Sequence, residues 1–251
     1  MENTTPPQIL GIDVGGSGIK GAPVDVRTGK LTAERIRIKT PPKAEPRPVA
    51  EVIQQIAQSF TGVEAIGIGF PSPIKSGVAM MAANISEKWI GLNADELFTA
   101  TIGLPCRTVN DADAAGLAEM AFGAGRGQPG TVIMLTLGTG IGSAVFYHGR
   151  LLPNTEFGHI EIEGMEAEAH ASDAARQSDD LSWKKFAKRL DRYQEEMQKL
   201  FWPDLFIVGG GVSKEHEKYL PLLKIKVPVV PAQLLNEAGI VGAALAVQGE
   251  T

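Results

Sequence analysis

Ile9-Leu10-Gly11-Ile12-Asp13-Val14-Gly15-Gly16-Ser17-Gly18-Ile19-Lys20-Gly21 decides the architecture of this chain. Ile9 to Asp13 is an apolar run closing on a carboxylate, the pattern of a buried strand. Gly16, Gly18 and Gly21 match the dinucleotide fingerprint G-x-G-x-x-G, but that fingerprint requires a helix to open at the glycines. Here Ala22-Pro23-Val24-Asp25-Val26 follows, and Pro23 would fall inside such a helix. No Gly-Lys-Ser or Gly-Lys-Thr stands at P-loop spacing. The stretch therefore reads as strand, glycine turn, strand. Such a turn can still hold phosphate, because backbone N–H groups converge where glycine takes positive φ. Asp13, at the strand end, reads equally as a ligand to Mg²⁺ or water beside a phosphate and as a side chain capping the turn.

Working outward, Thr28-Gly29-Lys30 is a second turn, and Arg35–Lys39 reads as a third strand with Ile36 and Ile38 on one face. Pro41, Pro42, Pro46 and Pro48 form a stiff connector. Val49, Val52, Ile53, Ile56, Ala57 and Phe60 then mark one stripe of a helix. Ala65–Phe70 is a buried strand stopped by Pro71 and Pro73. A second half begins near Asn110, with a helix over 112–122, a strand over 131–137, the turn Gly138-Thr139-Gly140-Ile141-Gly142 and a strand over 143–147. A long helix from Trp183 is expected to turn Phe186, Leu190, Tyr193, Met197 and Leu200 inward, with Pro203 closing it. Leu205–Val208 is a strand running into Gly209-Gly210-Gly211, and 234–247 reads as a small-residue helix. Strand, glycine turn, strand and a Gly-Lys-Leu or Gly-Arg-Leu turn thus occur twice, at 15–31 and 138–151. The repetition points to two related α/β domains with a cleft between them, expected at 1–109 and 110–237, with a terminal helix at about 238–251 packing back on the first.

The chain has 251 residues, which bounds it at one large domain or two small ones. Lys and Arg total 24 against 29 Asp and Glu, a net charge of −5 that argues against a general nucleic-acid binder. A lone cysteine, Cys106, rules out an intrachain disulfide and a multi-cysteine zinc site. No apolar run approaches the ~20 residues that span a bilayer, and Met1–Gln8 lacks a signal-peptide core. A cytoplasmic protein without membrane partners is expected.

Polar residues at exposed junctions complete the reading. Asn110-Asp111 follows a strand end, where ligands gather in α/β sheets. There an Asp can accept a hydroxyl proton, but on these residues alone plain helix capping is the preferred explanation of the pair. Glu156-Phe157-Gly158-His159 lies in irregular chain after the second hairpin, suited to hydroxyl recognition or simply to the surface. His159 lacks the partner ligands a zinc site would need.

Asp13–Lys20, Val109-Asn110-Asp111-Ala112, Leu137–Gly142, Glu156–His159 and Gly209-Gly210-Gly211-Val212-Ser213 occur in the order found in the ROK family of sugar kinases and repressors, which the chain resembles over nearly its whole length. The segment after His159 departs from the zinc-containing majority, having no cysteine cluster. With Ala83-Asn84-Ile85, Lys88-Trp89 and Leu181-Ser182-Trp183, it is similar to the zinc-less polyphosphate glucokinases and polyphosphate/ATP-glucomannokinases.

The resemblance implies two actin-like (ribonuclease H-like) α/β domains around a central sugar-binding cleft. It implies transfer of a phosphoryl group from inorganic polyphosphate, ATP or both to the 6-hydroxyl of glucose, with Mg²⁺ and without zinc. Asp111 would be the catalytic base. Asn84, Asn110, Glu156, His159 and Glu168 would bind sugar hydroxyls. Asp13, Gly15, Gly16, Ser17, Gly18 and Lys20 would form one phosphate clamp and Gly138, Thr139 and Gly140 the other, with Gly210 in a turn facing adenosine. A homodimer is expected. The rival readings are an ATP-only glucokinase and an acylated amino-sugar kinase; a repressor is not expected, since the first strand begins by Ile9. A polyanionic donor needs a basic track, and Lys184, Lys188 and Arg192, flanked by Lys185 and Arg189, share a helical face. Lys20 and Arg126 are other candidates, and an ordinary solvated face explains the helix as well.

Overall fold

The computed structural model describes residues 8–249. In chain order the elements are β1 (Gln8–Gly15), β2 (Gly18–Asp25), β3 (Lys30–Leu31), β4 (Ile36–Ile38), α1 (Pro46–Gln58), β5 (Val63–Phe70), β6 (Ile74–Lys75), β7 (Val78–Ala79), α2 (Ala94–Ile102), β8 (Cys106–Asn110) and α3 (Asp111–Phe122). They continue with β9 (Thr131–Leu137), β10 (Ile141–Tyr147), β11 (Arg150–Leu152), β12 (Glu161–Ile162), β13 (Met165–Glu166), α4 (Ala167–Ala171), α5 (Asp173–Ser178), α6 (Trp183–Phe201), β14 (Leu205–Gly209), β15 (Val229–Pro231) and α7 (Ala238–Ala246). Two compact units result. One runs to Ala118 and resumes at Glu237; the other is Glu119–Asn236.

The first unit is built on a sheet ordered β3-β2-β1-β5-β8, with β4 also paired to β2. β1 and β2 are antiparallel, with Gly15 opposite Gly18, while β1, β5 and β8 run parallel. The hairpin at Gly15–Gly18 excludes the dinucleotide fingerprint for the reason that Pro23 gave. The amphipathic α1 buries Val49, Ile53, Ile56 and Ala57. Trp89, Phe70 and Phe98 form an aromatic knot, with Trp89 donating its indole N–H to the Ala44 carbonyl.

α7 is apolar all round and lies directly on this sheet. Gly11 and Gly67 are register partners, and a Cβ on either would strike the α7 backbone at Ile240 and Ala243. Gly242 makes the same close approach to Ala114 of α3. The helix starts at Ala238, later than Leu234 as expected, because the buried Glu119 carboxylate takes the N–H groups of Gln233 and Leu234 at 2.9 and 2.7 Å. A short 3-10 turn at Leu235–Glu237 bridges the gap. Residues 250 and 251 of the expected terminal helix lie outside the described residues.

The second unit carries the sheet β11-β10-β9-β14-β15. β10 is antiparallel to β9 and β11, and β9, β14 and β15 are parallel. Hairpin followed by parallel strands in matching order is the topology of the first sheet. α6 covers this sheet with Phe186, Leu190, Tyr193 and Met197 buried, but Leu200 is 65% exposed. Leu200 falls in the last turn, just before Trp202 leaves the helix in the left-handed region. Asp191 is also not on a solvated face: its buried carboxylate accepts the N–H groups of Lys224 and Ile225.

Candidate active site

In the first unit β8 ends at Asn110 and α3 begins at Asp111 without an intervening loop. The Asn110 side-chain oxygen accepts from Ala112 N at 2.9 Å and Asp113 N at 3.1 Å, so it caps the helix. Its amide donates to the Ser72 carbonyl at 3.4 Å. Asp111 is half-buried, and its carboxylate accepts from Ala112 N at 2.8 Å. The strand end thus fixes a carboxylate at a helix start, where the partial positive charge of the unpaired N–H groups favours an anion. Ser72, unremarked in the sequence, ties this junction to the loop carrying Asn84. Its hydroxyl bonds the carbonyl and N–H of Met81, three residues before the exposed Asn84. Burial pushes the Cys106 thiol, at the start of β8, up to about 12, which removes thiolate chemistry from this junction.

The first glycine turn differs in mechanism from the expectation. Gly15, Gly16 and Gly18 do not take positive φ. What Gly18 requires is space. A Cβ on Gly16 would meet nothing within 4 Å, whereas one on Gly18 would meet the Arg37 guanidinium at 2.7–2.8 Å. Arg37 lies across the hairpin tip, donating to the Ser17 carbonyl at 2.9 Å and to its hydroxyl at 3.3 Å. The Thr40 hydroxyl closes the other side on the Gly15 carbonyl. Asp13, Lys20 and Arg37 are successive cross-strand partners, and Lys20 Nζ lies 3.0 Å from Asp13 Oδ2. Gly239 of α7 also packs against Asp13, where a Cβ would stand 3.0 Å from the carboxylate carbon. Neither Arg37 nor Gly239 has a local signal, since both act through tertiary approach.

The second unit gathers the Gly138–Gly140 turn with Glu156, His159 and Glu168. Gly138 and Gly140 likewise avoid positive φ, and the space at Gly138 is open. Glu168, on the five-residue helix α4, accepts from Ile141 N at 3.3 Å, and a Cβ on Gly140 would strike its carboxylate. Gly158 is required on the same account, with Ile141 O and Glu168 beside it. Thr139 is exposed at the tip. Ser143 and Thr155 exchange hydroxyl contacts at 2.8–3.0 Å, and Ser143 receives Phe157 N, which fixes the start of the Glu156–His159 loop.

His159 Nε2 is 3.9 Å from Glu156 and its Nδ1 is 3.5 Å from Glu166. Burial pushes the Glu156 carboxyl above its ordinary range; His159 draws it down and Glu168 raises it. His159, Glu166 and Glu168 offer ligand atoms within 4.8 Å of one another, so the expected want of ligands around His159 is corrected. The sequence concealed this because Glu166 reaches it only through the β12–β13 ribbon, where Glu161 pairs with Glu166. Gly210 is the one turn glycine of the set with positive φ, +80°, and it packs on the Leu137 backbone beside the second turn.

Two of the five residues of the expected basic track on α6 are engaged in ion pairs. Arg192 pairs with Glu163, Glu195 and Glu196, and Arg189 with Asp179 and the His170 carbonyl. Lys184, Lys185 and Lys188 stay exposed, as does Arg126. No helix among the described residues is long and apolar enough to cross a membrane.

Comparison with known proteins places the chain among sugar kinases by sequence and fold. Over 249 residues the chain is 48% identical to a polyphosphate glucokinase of Mycobacterium tuberculosis, covering 99% of this chain and 94% of that one. The structure of an inorganic polyphosphate/ATP-glucomannokinase from Arthrobacter sp. strain KM superposes with a TM-score of 0.91 at 48% identity, covering 96% of this chain and 99% of the other. A ROK family glucokinase from Streptomyces griseus, solved with glucose and AMPPNP, gives 0.81 at 28% identity, covering 96% and 100%. The model of the ROK family matches residues 9–171, and with the motifs standing on their two hairpins and the β8–α3 junction, the chain belongs to the ROK family.

Proposed function

We propose that this chain transfers a phosphoryl group from inorganic polyphosphate, with ATP as a second donor, to the 6-hydroxyl of glucose, giving glucose 6-phosphate. The observation that carries the reading is identity at 48%, over nearly the full length, both to a polyphosphate glucokinase and to a polyphosphate/ATP-glucomannokinase. The two sheets of like order support paired actin-like domains.

The chain's own groups divide the work. Asp111 takes the proton of the attacking hydroxyl, held in aim by Ala112 N–H. Asn110, with its oxygen committed to the cap, offers the sugar an amide N–H. Asn84, Glu156, His159 and Glu168 bind further hydroxyls. Carboxylates suit this task because each accepts two hydroxyl protons at once. The open backbone at Gly16 and Gly138 lets phosphate approach main-chain N–H groups, with Ser17, Lys20 and Thr139 adding donors and Gly15, Gly18, Gly140 and Gly210 keeping the turns thin. Positioning and electrostatics supply most of the catalysis in such a transfer.

Phosphoryl transfer of this type needs a divalent metal, and we assign Mg²⁺. The ion arrives with phosphate and water ligands and asks a protein for only one or two carboxylates. Asp13 fits, being a partly exposed carboxylate at a strand end with one oxygen on Lys20. When bound, the ion would neutralise charge on the phosphates. Zinc has no part in the proposal.

The test is glucose 6-phosphate formation with Mg²⁺, supplying nucleotide-free polyphosphate and ATP in parallel. Turnover with polyphosphate is expected; turnover with ATP alone would leave an ATP-only glucokinase. Asp111→Ala is expected to lower kcat by about three orders of magnitude or more, with a much smaller change in glucose affinity, since general-base assistance is worth roughly 10²–10⁴. Turnover near wild type in that variant would remove Asp111 from the base role.

A further inference from the structure

Beside the second glycine turn the structure builds a stack that the sugar and phosphate assignments leave unused. The Gly138 carbonyl accepts from Ala174 N at 3.0 Å, which seats the start of α5 on the turn. Asp173, the neighbouring residue, receives Arg176 Nε at 2.7 Å. Arg176 is thereby carried less than one helical turn from the Gly138 contact, a rise of roughly 5 Å or less. Its guanidinium carbon lies 4.4 Å from the centroid of the Trp183 ring. Trp183 is stacked in turn on Tyr219, with ring centroids 5.8 Å apart and planes within 16°. Tyr219 is fully buried and its hydroxyl has no hydrogen-bond partner among the described residues. Lys218 Nζ stands 5.6 Å from the same Trp183 centroid.

Two properties of Arg176 are unusual for a residue whose role is structural. Its side chain is 21% exposed, so the head is largely desolvated yet reachable. Only Nε is engaged by a protein acceptor; the two terminal nitrogens make no hydrogen bond among the described residues. A guanidinium carries five N–H donors in a rigid fork matched to phosphate oxygens. Laid on an indole, it is also fixed in direction.

The two donor classes share a phosphate chain and differ at its far end. Polyphosphate continues as charge. A nucleotide ends in a sugar and a flat base, and a base seeks an aromatic face, with stacking worth a sizeable fraction of its binding. We propose that Arg176, held by Asp173 against Trp183, selects the phosphoryl donor. Its terminal N–H groups meet the distal phosphates of an inorganic polyphosphate chain, and its guanidinium occupies the aromatic face on which a nucleobase would stack. The inference deepens the proposed function and rests on the Gly138–Gly140 turn holding phosphate.

The experiment is the ratio of kcat/KM for nucleotide-free polyphosphate to kcat/KM for ATP, measured with glucose and Mg²⁺ in wild type and Arg176→Ala. The ratio is independent of how much of the variant folds. It is expected to fall about 10- to 100-fold, the effect of losing one or two charge-assisted hydrogen bonds, chiefly through the KM for polyphosphate. If Arg176→Ala is inactive with both donors, Arg176→Lys supplies the same ratio: it keeps a positive charge for Asp173 but loses the fork and the ring cover, and a fall is again expected. A ratio unchanged or raised overturns the inference while leaving the donors of the proposed function in place. A wild-type enzyme that uses neither donor overturns the proposed function, and this inference with it.

Discussion

At Glu156 the fold opposes a charge that the chemistry would use. Burial raises its carboxyl, His159 partly restores it and Glu168 raises it again. A carboxyl raised in the folded state binds its proton more readily there than in the unfolded chain. Its contribution to stability is full below the ordinary carboxylate range and is lost as pH rises through the raised value. Thermal melts across pH 4–7 are therefore expected to show Glu156→Gln gaining Tm relative to wild type as pH climbs. A Tm difference that stays constant with pH would remove the desolvated carboxylate as its cause. Glu156 and His159 were readable in the sequence because they share a four-residue motif, whereas Glu168 was named only through the family resemblance. Glu166, Arg37, Ser72 and Arg176 were not readable. Each reaches its partner across a hairpin, a ribbon or a second helix, and no spacing along the chain records such an approach. The glycine turns were readable as turns, but the reason for the glycines of the two proposed phosphate turns was not: Gly15, Gly16, Gly18, Gly138 and Gly140 avoid positive φ and leave open space or sit against close neighbours.

Among elements, α7 owes its position to missing side chains. Gly67→Ala would drive a methyl into the Ala243 carbonyl, and neither backbone can rotate away. Overpacking of this kind costs about 1–3 kcal/mol, and the upper end applies where backbone meets backbone. Denaturant midpoints are expected to fall for Gly67→Ala and to stay near wild type for Gly16→Ala, where the added methyl meets nothing within 4 Å. Equal shifts in both would show that the cost is not steric. The long strands and α1 were legible because burial on both faces gives apolar runs and a one-sided helix gives a stripe. α2 was missed despite its signal: Asn93 accepts from Glu96 N at 3.2 Å and donates to the Glu96 carboxylate at 2.8 Å, a reciprocal cap written as Asn-x-x-Glu. The two-residue strands β3, β6, β7, β12 and β13 carry too few residues to show a period. Leu200 fits the α6 stripe by spacing, but the helix ends one residue later and the stripe has no surface left to cover.

For the whole molecule, repetition is the main fact: two large sheets, each a hairpin followed by two parallel strands, each with a glycine turn at its first hairpin. The sequence showed the repetition through its two hairpin motifs, while the parallel pairings had to come from the structure. The homodimer expected from the resemblance has a candidate face in Leu200 and Trp202, which stand 65% and 76% exposed at the end of α6. Sedimentation equilibrium is expected to give twice the 26.7 kDa chain mass, and Leu200→Glu with Trp202→Glu to return it to one chain. A wild-type monomer, or a dimer that survives both changes, would remove this face as the interface. The placement of α7 also sets an order of events during synthesis. The second unit is continuous, and its last residue leaves the ribosome before α7 does. The first unit is interrupted, and Gly11 and Gly67 wait on nascent chain for a helix translated some 170 residues after Gly67. The unit begun first is therefore the last to be finished, and translation stopped before Ala238 would yield a complete second unit attached to an uncovered sheet.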